Sequence, residues 1–433
     1  MPNYVTSDEA VKTVKSHDHI HISSAAQVPY CLIEALQRRA DAGDITDIHF
    51  HHSYSEGPAP FADSKYENLF FDQAFFVGPA VRRSVRNGNA DYLPINLSQT
   101  QQVYREGLVP CDVAMVLVSE PDANGYVSLG GDVVCSIGAI EVAKTVIGVV
   151  NKNVPFTYGD AIVPLSKFSL FVKDDRPLIE TPSFDPNPVQ VLIGQQCAAL
   201  IEDGACLQVG VGGLTNALAV QLKDHKNLGL HTETFSDGVL ELIKSGVING
   251  QNKVIDKGKV VASFLLGSRA VFDFVDHNPS VMMMDVGYTN DPYVISRNPK
   301  VASVNAATQI DLTGQVCADS VGQRIVSGTG GQLEFVRGAS LSKGGISIIA
   351  ISSRAKDGTS KIVPSLDLSS GVVTPRADVQ WIVTEFGAVN LRGKSMQERA
   401  KLLISIAHPG DQENLERAAF ERFGSHYQTI SVI

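Results

Sequence analysis

Short β-branched runs alternate with helical patterns along this chain, and that alternation constrains the fold more than any other feature. DVAMVLVS at 112–119 is such a run, and AIEVAKTVIGVVN at 139–151 and GGISIIAIS at 344–352 continue the pattern. It specifies an α/β architecture with mainly parallel sheets. The sharpest interruption is TPSFDPNP at 181–188, where three prolines separate two periodic regions. It divides the 433 residues into two expected α/β domains, 1–185 and 186–433, each long enough to bury its own core. Just beyond the break, VQVLIGQQCAALIEDG places Val189, Leu192, Ile193, Cys197, Leu200 and Ile201 on one helical face with Gly204 as the stop, and the strand ACLQVG is expected next.

Composition narrows the function classes. Asp and Glu total 46 against 36 Lys and Arg, a formal charge of -10, which disfavours a general binder of nucleic acid or anionic membranes. A local basic pocket for one phosphorylated ligand stays compatible with it. The six cysteines form no CxxC pair and read as reduced core thiols. The first residues lack the basic and apolar regions of a signal peptide, and no apolar stretch approaches a membrane span, so a cytoplasmic location is expected.

Several segments carry residues suited to chemistry. GVGG at 210–213 lies between a strand and a helix, where small residues and a helix N-terminus favour an anion; tight packing turns use the same residues. SGTGGQLEFVRGASLSKGG at 327–345 is a denser glycine loop with Gln332, Glu334 and Arg337, and Gly328, Gly330 and Gly331 could hold amides open toward an oxyanion or a phosphate. LHTETFSDGVLELIKSG at 230–246 runs from a strand into a helix capped by Ser236 or Asp237, which puts Glu233 at the C-terminal edge of a parallel sheet, where open α/β sheets place ligands. A carboxylate there serves as general base, as nucleophile, or simply as a capping residue.

Other patterns lead elsewhere. Gly387 to Gly393-Lys394-Ser395 looks like a phosphate-binding loop but is one residue too long. His17, His19 and His21, with His49, His51 and His52, could line neighbouring strands and hold zinc; without HExxH or a cysteine ligand nearby, structural histidines are the expectation and no metal is assigned. No GxSxG nucleophile elbow is present.

Taken together the segments resemble the acetyl-CoA hydrolase/transferase family, the class I CoA-transferases, and most closely its 4-hydroxybutyrate and butyrate:acetate CoA-transferase branch. The resemblance rests on FVGPAVR at 76–82, ADYLP at 90–94, DVAMVLVSEPDANGYVSLG at 112–130 and NKNVPFTYGD at 151–160. It continues through LIEDGACLQVGVGG, LGLHTETFSDGV, SGTGGQLEFVRGA, VTEFGAVNLRGKSMQERA and IAHP.

The resemblance implies two α/β domains meeting at one active site, with Glu233 as the catalytic nucleophile that passes CoA between short-chain acids through acyl-glutamyl anhydride and glutamyl-CoA thioester intermediates. It implies that Gln208 orients substrate or oxyanion beside the carboxylate. Donors near Gly212 and Gly213 and in the loop of Gly328, Gly330, Gly331 and Gln332 would surround the oxyanion and lie along CoA. The partners implied are CoA thioesters and short-chain carboxylates such as acetate, butyrate or 4-hydroxybutyrate, with no cofactor beyond the thioester itself and with a homodimer as the assembly. Hydrolysis of the acyl-CoA on the same scaffold is the alternative. Ser24 and Gln27, in SSAAQVP at 23–29, stand where close relatives can carry histidine and where glycine is common, in a segment that faces the acyl pocket in the family.

Overall fold

The computed structural model describes residues 3–181 and 185–429, so residues 182–184 of the proline-rich segment lie outside the described residues. Two large sheets organise the chain. The first contains β1 (His19–Ile22), β2 (Ile48–His52), β3 (Phe70–Ala74), β4 (Ala90–Tyr92), β5 (Val113–Val118), β6 (Thr145–Val150) and β7 (Leu170–Lys173). Their order is β7-β6-β5-β1-β2-β3-β4, and every pairing is parallel. The run predicted at 112–119 becomes β5, whose six residues are all buried, as expected of an interior parallel strand covered on both faces. In β6, Gly148 leaves room for the rings of Phe168 and Phe171, which a Cβ would meet at 2.9 Å.

The second sheet contains β8 (Cys206–Val209), β9 (Gly229–Leu230), β10 (Val301–Ala306), β11 (Ile346–Ala350), β12 (Trp381–Thr384) and β13 (Gly387–Asn390), in the order β9-β8-β10-β11-β12-β13. Only the β12–β13 pair is antiparallel. Gly387 is therefore the first residue of a hairpin strand, where the sequence reading has a loop leading directly to a helix. Ser395 then opens the helix Met396–Ser405 with a capping box to Glu398, so Gly393-Lys394-Ser395 is a helix start.

The helix expected after the proline segment spans Pro188–Leu200, with Asn187 and Gln190 forming a capping box and Pro188 at its first position. It ends short of Gly204, which belongs to the following turn: its φ is 76° and its N–H donates to the Lys226 carbonyl.

Strand order reverses between β1 and β5 in the first sheet and between β8 and β10 in the second. Such reversals leave a crevice beyond the strands' carboxyl ends, the usual ligand position in open α/β sheets. The first is stoppered. Gln27 is buried there, donating to the Leu117 and Leu129 carbonyls and accepting from the Gly131 N–H at 2.6 Å. Ser24 is likewise buried, its N–H donating to Asp132. The second reversal is open and forms part of the cavity described below.

The two halves share one hydrophobic core, which runs from Ile20 and Phe50 through Leu207 and Phe235 to Val383. Backbone pairing also crosses between them, Tyr158 and Gly159 lying parallel to Met282 and Met283. All six cysteines are free thiols and buried. No helix among the described residues is long and apolar enough to cross a membrane.

Candidate active site

A cavity of about 390 Å³ opens where the two halves meet. Gln208, Val209 and Gly210 reach it from the end of β8, and Asn305 and Ala306 from the end of β10. Ser53, Tyr54, Phe76 and Leu97 close it from the first half, and the 327–331 loop covers it from the second.

Glu233 lines this cavity just beyond β9. Its carbonyl accepts from the N–H groups of Ser263 and Phe264, at 2.9 and 3.1 Å, which fixes the backbone under the side chain. The carboxylate Oε2 accepts from Asn290 Nδ2 at 3.0 Å, and the same amide donates to Glu334 Oε2 at 3.1 Å. Two carboxyl groups thus share one amide, with the Ser98 N–H also directed at Glu334. Burial pushes the Glu233 carboxyl up to about 7; Asn290 and the Gly331 N–H oppose the rise and the Glu334 charge adds to it. Glu334 is raised as well, burial again being the main cause. Ser236 precedes the helix Asp237–Lys244 without a side-chain capping bond, while Asp237 binds Ser268.

Gln208 lies beside the cavity with its amide in a reciprocal pair with Asn305, at 3.3 and 3.1 Å, and not on the glutamate. Gly328, Gly330, Gly331 and Gln332 all line the cavity. Gly331 is the tightest position, since a Cβ there would collide with Glu233 Oε2 and Asn290 Nδ2. Gly328 packs under Phe76, where a Cβ would meet the ring at 2.8 Å. The Gln332 amide is engaged by the protein: it donates to the Ala306 carbonyl at 2.8 Å and accepts from Thr374 at 2.9 Å.

The first glycine turn is offset from expectation. Gly210 and Val211 line the cavity, whereas Gly212 borders a neighbouring one and Gly213 packs on Gln190. The reason is helical phase: Gly212, at φ 100°, is the N-cap and Gly213 already the first residue of the helix Gly213–Gln221. Ser24 and Gln27 do not line the cavity, both being consumed by the buried crevice in the first sheet. Arg337 is on the outer surface, paired with Asp378 at 3.0 Å. Asn290 and Asn305 escaped the sequence reading, and Phe76 entered it only as the first residue of the FVGPAVR motif. Asn290 carries only a turn signal, Asn-Asp-Pro, and Asn305 ends an apolar strand.

The histidine strands do pair, His19 opposite His49 and His21 opposite His51. His19 bonds to His51 at 2.9 Å and His21 to Tyr104 and Ser136, while His52 Nε2 lies 3.0 Å from Asp72 Oδ1. Burial drives His21 and His51 down to about 3, so both are neutral imidazoles inside the sheet layer. Among the described residues no group of three or more ligating side chains is arranged to hold a metal ion.

With this geometry in place, comparison with known proteins decides the family. Residues 3–181 match the acetyl-CoA hydrolase/transferase N-terminal domain and residues 267–419 the corresponding C-terminal domain. The chain belongs to the acetyl-CoA hydrolase/transferase family. It is 41% identical to the 4-hydroxybutyrate coenzyme A transferase of Clostridium kluyveri, over 97% of either chain. It is 42% identical to the succinyl-CoA:acetate/propanoyl-CoA:succinate CoA transferase of Fasciola hepatica, over 96% of this chain and 87% of that one. Among solved structures, RipA from Yersinia pestis superposes with a TM-score of 0.91 at 36% identity, covering 97% of each chain.

Proposed function

We propose that this chain is an acyl-CoA:carboxylate CoA-transferase moving CoA between short-chain acids, acetate with butyrate or 4-hydroxybutyrate, with Glu233 as nucleophile. The observation that carries the reading is a buried carboxylate, steered by Asn290 and facing a glycine loop, in a cavity that both halves line. Family membership and the transferase names of full-length relatives agree with it.

The chemistry balances without a redox centre or ATP. Ionised Glu233 attacks the thioester carbonyl and expels CoA thiolate, leaving an acyl-glutamyl anhydride. The thiolate attacks the glutamyl carbonyl, releases the first acid as its carboxylate and leaves a glutamyl-CoA thioester. The incoming carboxylate attacks that thioester, and the thiolate then takes the new acyl group and frees Glu233. Each addition develops an oxyanion, for which the 328–331 loop offers backbone amides, the Gly331 N–H already being directed at Glu233. Gln208, held by Asn305, serves to position the acyl group. No cofactor beyond the thioester enters these steps.

The test is intact mass after incubation with butyryl-CoA or acetyl-CoA and borohydride. A glutamyl-CoA thioester is reduced to the alcohol, so loss of the Glu233 carboxylate is expected in the wild type and not in Glu233→Ala, which also loses turnover. Turnover in that variant excludes the mechanism. Thioester loss that is unaffected by added acetate favours the hydrolase that the family also contains.

A further inference from the structure

Beside the cavity runs a second groove of about 400 Å³, walled by Arg82, Arg83, Arg86 and Arg324. Arg82 and Pro79 line both spaces, so the groove adjoins the chamber that holds Glu233. Three of the arginines sit on the short helix Arg82–Asn87 of the first half, with Arg82 and Arg86 one turn apart on one face. Arg324 comes from the strand Arg324–Ile325 of the second half. Arg82 Nε donates to the Val326 carbonyl at 2.6 Å, which sets the plane of its guanidinium.

Among the described residues none of the four forms an ion pair. Four like charges converging without a counter-ion repel one another, and a polyanion relieves that repulsion. Guanidinium groups match phosphate oxygens bidentately.

Resting on the CoA-transferase reading above, we propose that the Arg82, Arg83, Arg86 and Arg324 groove seats the phosphates of the CoA nucleotide, while the pantetheine arm passes Pro79 into the Glu233 cavity. The ligand class is thus a nucleotide polyphosphate held outside the reaction chamber. Its binding energy is remote from the reacting carbon and available to position it.

The experiment compares the wild type with Arg83→Gln, Arg86→Gln and Arg324→Gln, leaving Arg82 intact because it also borders the cavity. Initial rates are measured with acyl-CoA and with the matching acyl-N-acetylcysteamine thioester, which carries no phosphate. KM for acyl-CoA is expected to rise about tenfold or more per variant, while the phosphate-free thioester changes less than about twofold. Equal effects on both thioesters, or none on either, overturn the assignment. Calorimetric titration with adenosine 3′,5′-bisphosphate reads the groove without turnover: binding by the wild type and loss in the variants supports it, and binding that survives in all three overturns it. Inorganic phosphate bound in place of the bisphosphate, with no change in KM for acyl-CoA, overturns it too. A wild type that binds the bisphosphate in the groove but turns over no acyl-CoA removes the transferase reading and leaves the phosphate seat standing.

Discussion

Glu233 and Gly331 carry the sharpest predictions. Only ionised Glu233 is nucleophilic, and burial lifts its carboxyl to about 7. The rate of the first half-reaction is therefore expected to fall about tenfold per pH unit below about pH 7 and to level off above it; a pre-steady-state profile flat down to about pH 5 contradicts this. The same shift bears on stability. The folded state holds this proton to higher pH than the unfolded chain does, so stability declines as pH rises from the ordinary carboxylate range through about 7. Glu233→Gln should accordingly raise stability near about pH 8 by on the order of 1 kcal/mol, read as a higher Tm, while activity disappears. Gly331→Ala meets no backbone strain, because φ is -98°, but its methyl strikes Glu233 Oε2 and Asn290 Nδ2. Turnover is expected to drop at least about a hundredfold with only a modest Tm loss, measured by initial rates and thermal denaturation. The position of Glu233, beyond a strand and ahead of a helix, is a local pattern that leaves base, nucleophile and cap open, and the family resemblance singles out the nucleophile among them. Asn290 was not legible in the sequence, since it lies 57 residues away and meets the glutamate only through tertiary packing.

At the level of elements, sequence signals worked where they were local. The buried run of β5 and the Asn187 to Gln190 capping box are written in adjacent residues, and both elements formed there. They failed at Gly204, which is tied to the distant Lys226, and at Gly387, where a tight hairpin back to Thr384 stands in place of the expected loop. The 393–395 segment tests the distinction. Its serine caps Met396–Ser405 through Glu398, so Ser395→Ala is expected to cost about 1 kcal/mol in urea denaturation and to leave kcat unchanged. A loss of turnover in a correctly folded variant would instead tie this corner to the chemistry.

Across the whole molecule, the halves are joined at the site itself. Thr329 donates through its N–H to the Tyr92 hydroxyl and through its own hydroxyl to the Ile95 carbonyl, while the Leu97 N–H donates to the Gly330 carbonyl. The glycine loop of the second half is thus held by the first, and a single core runs through both. Differential scanning calorimetry should show one transition, lost together with activity; two separated transitions would mean that the shared core does not couple the halves. The alternating pattern made two α/β layers readable, but not this seam, which is made of contacts between residues more than 200 positions apart, such as Thr329 with Tyr92 and Ile95. The buried cysteines have a consequence of another kind. Burial lifts Cys31, Cys111 and Cys197 to about 12 and Cys206 to about 11, and Cys135 well above the ordinary thiol range, with Cys317 buried alongside them. On the proposed route a thiolate is freed beside an activated acyl group, which risks transthioesterification onto the chain's own sulfur, and none of the six cysteines lines the Glu233 cavity.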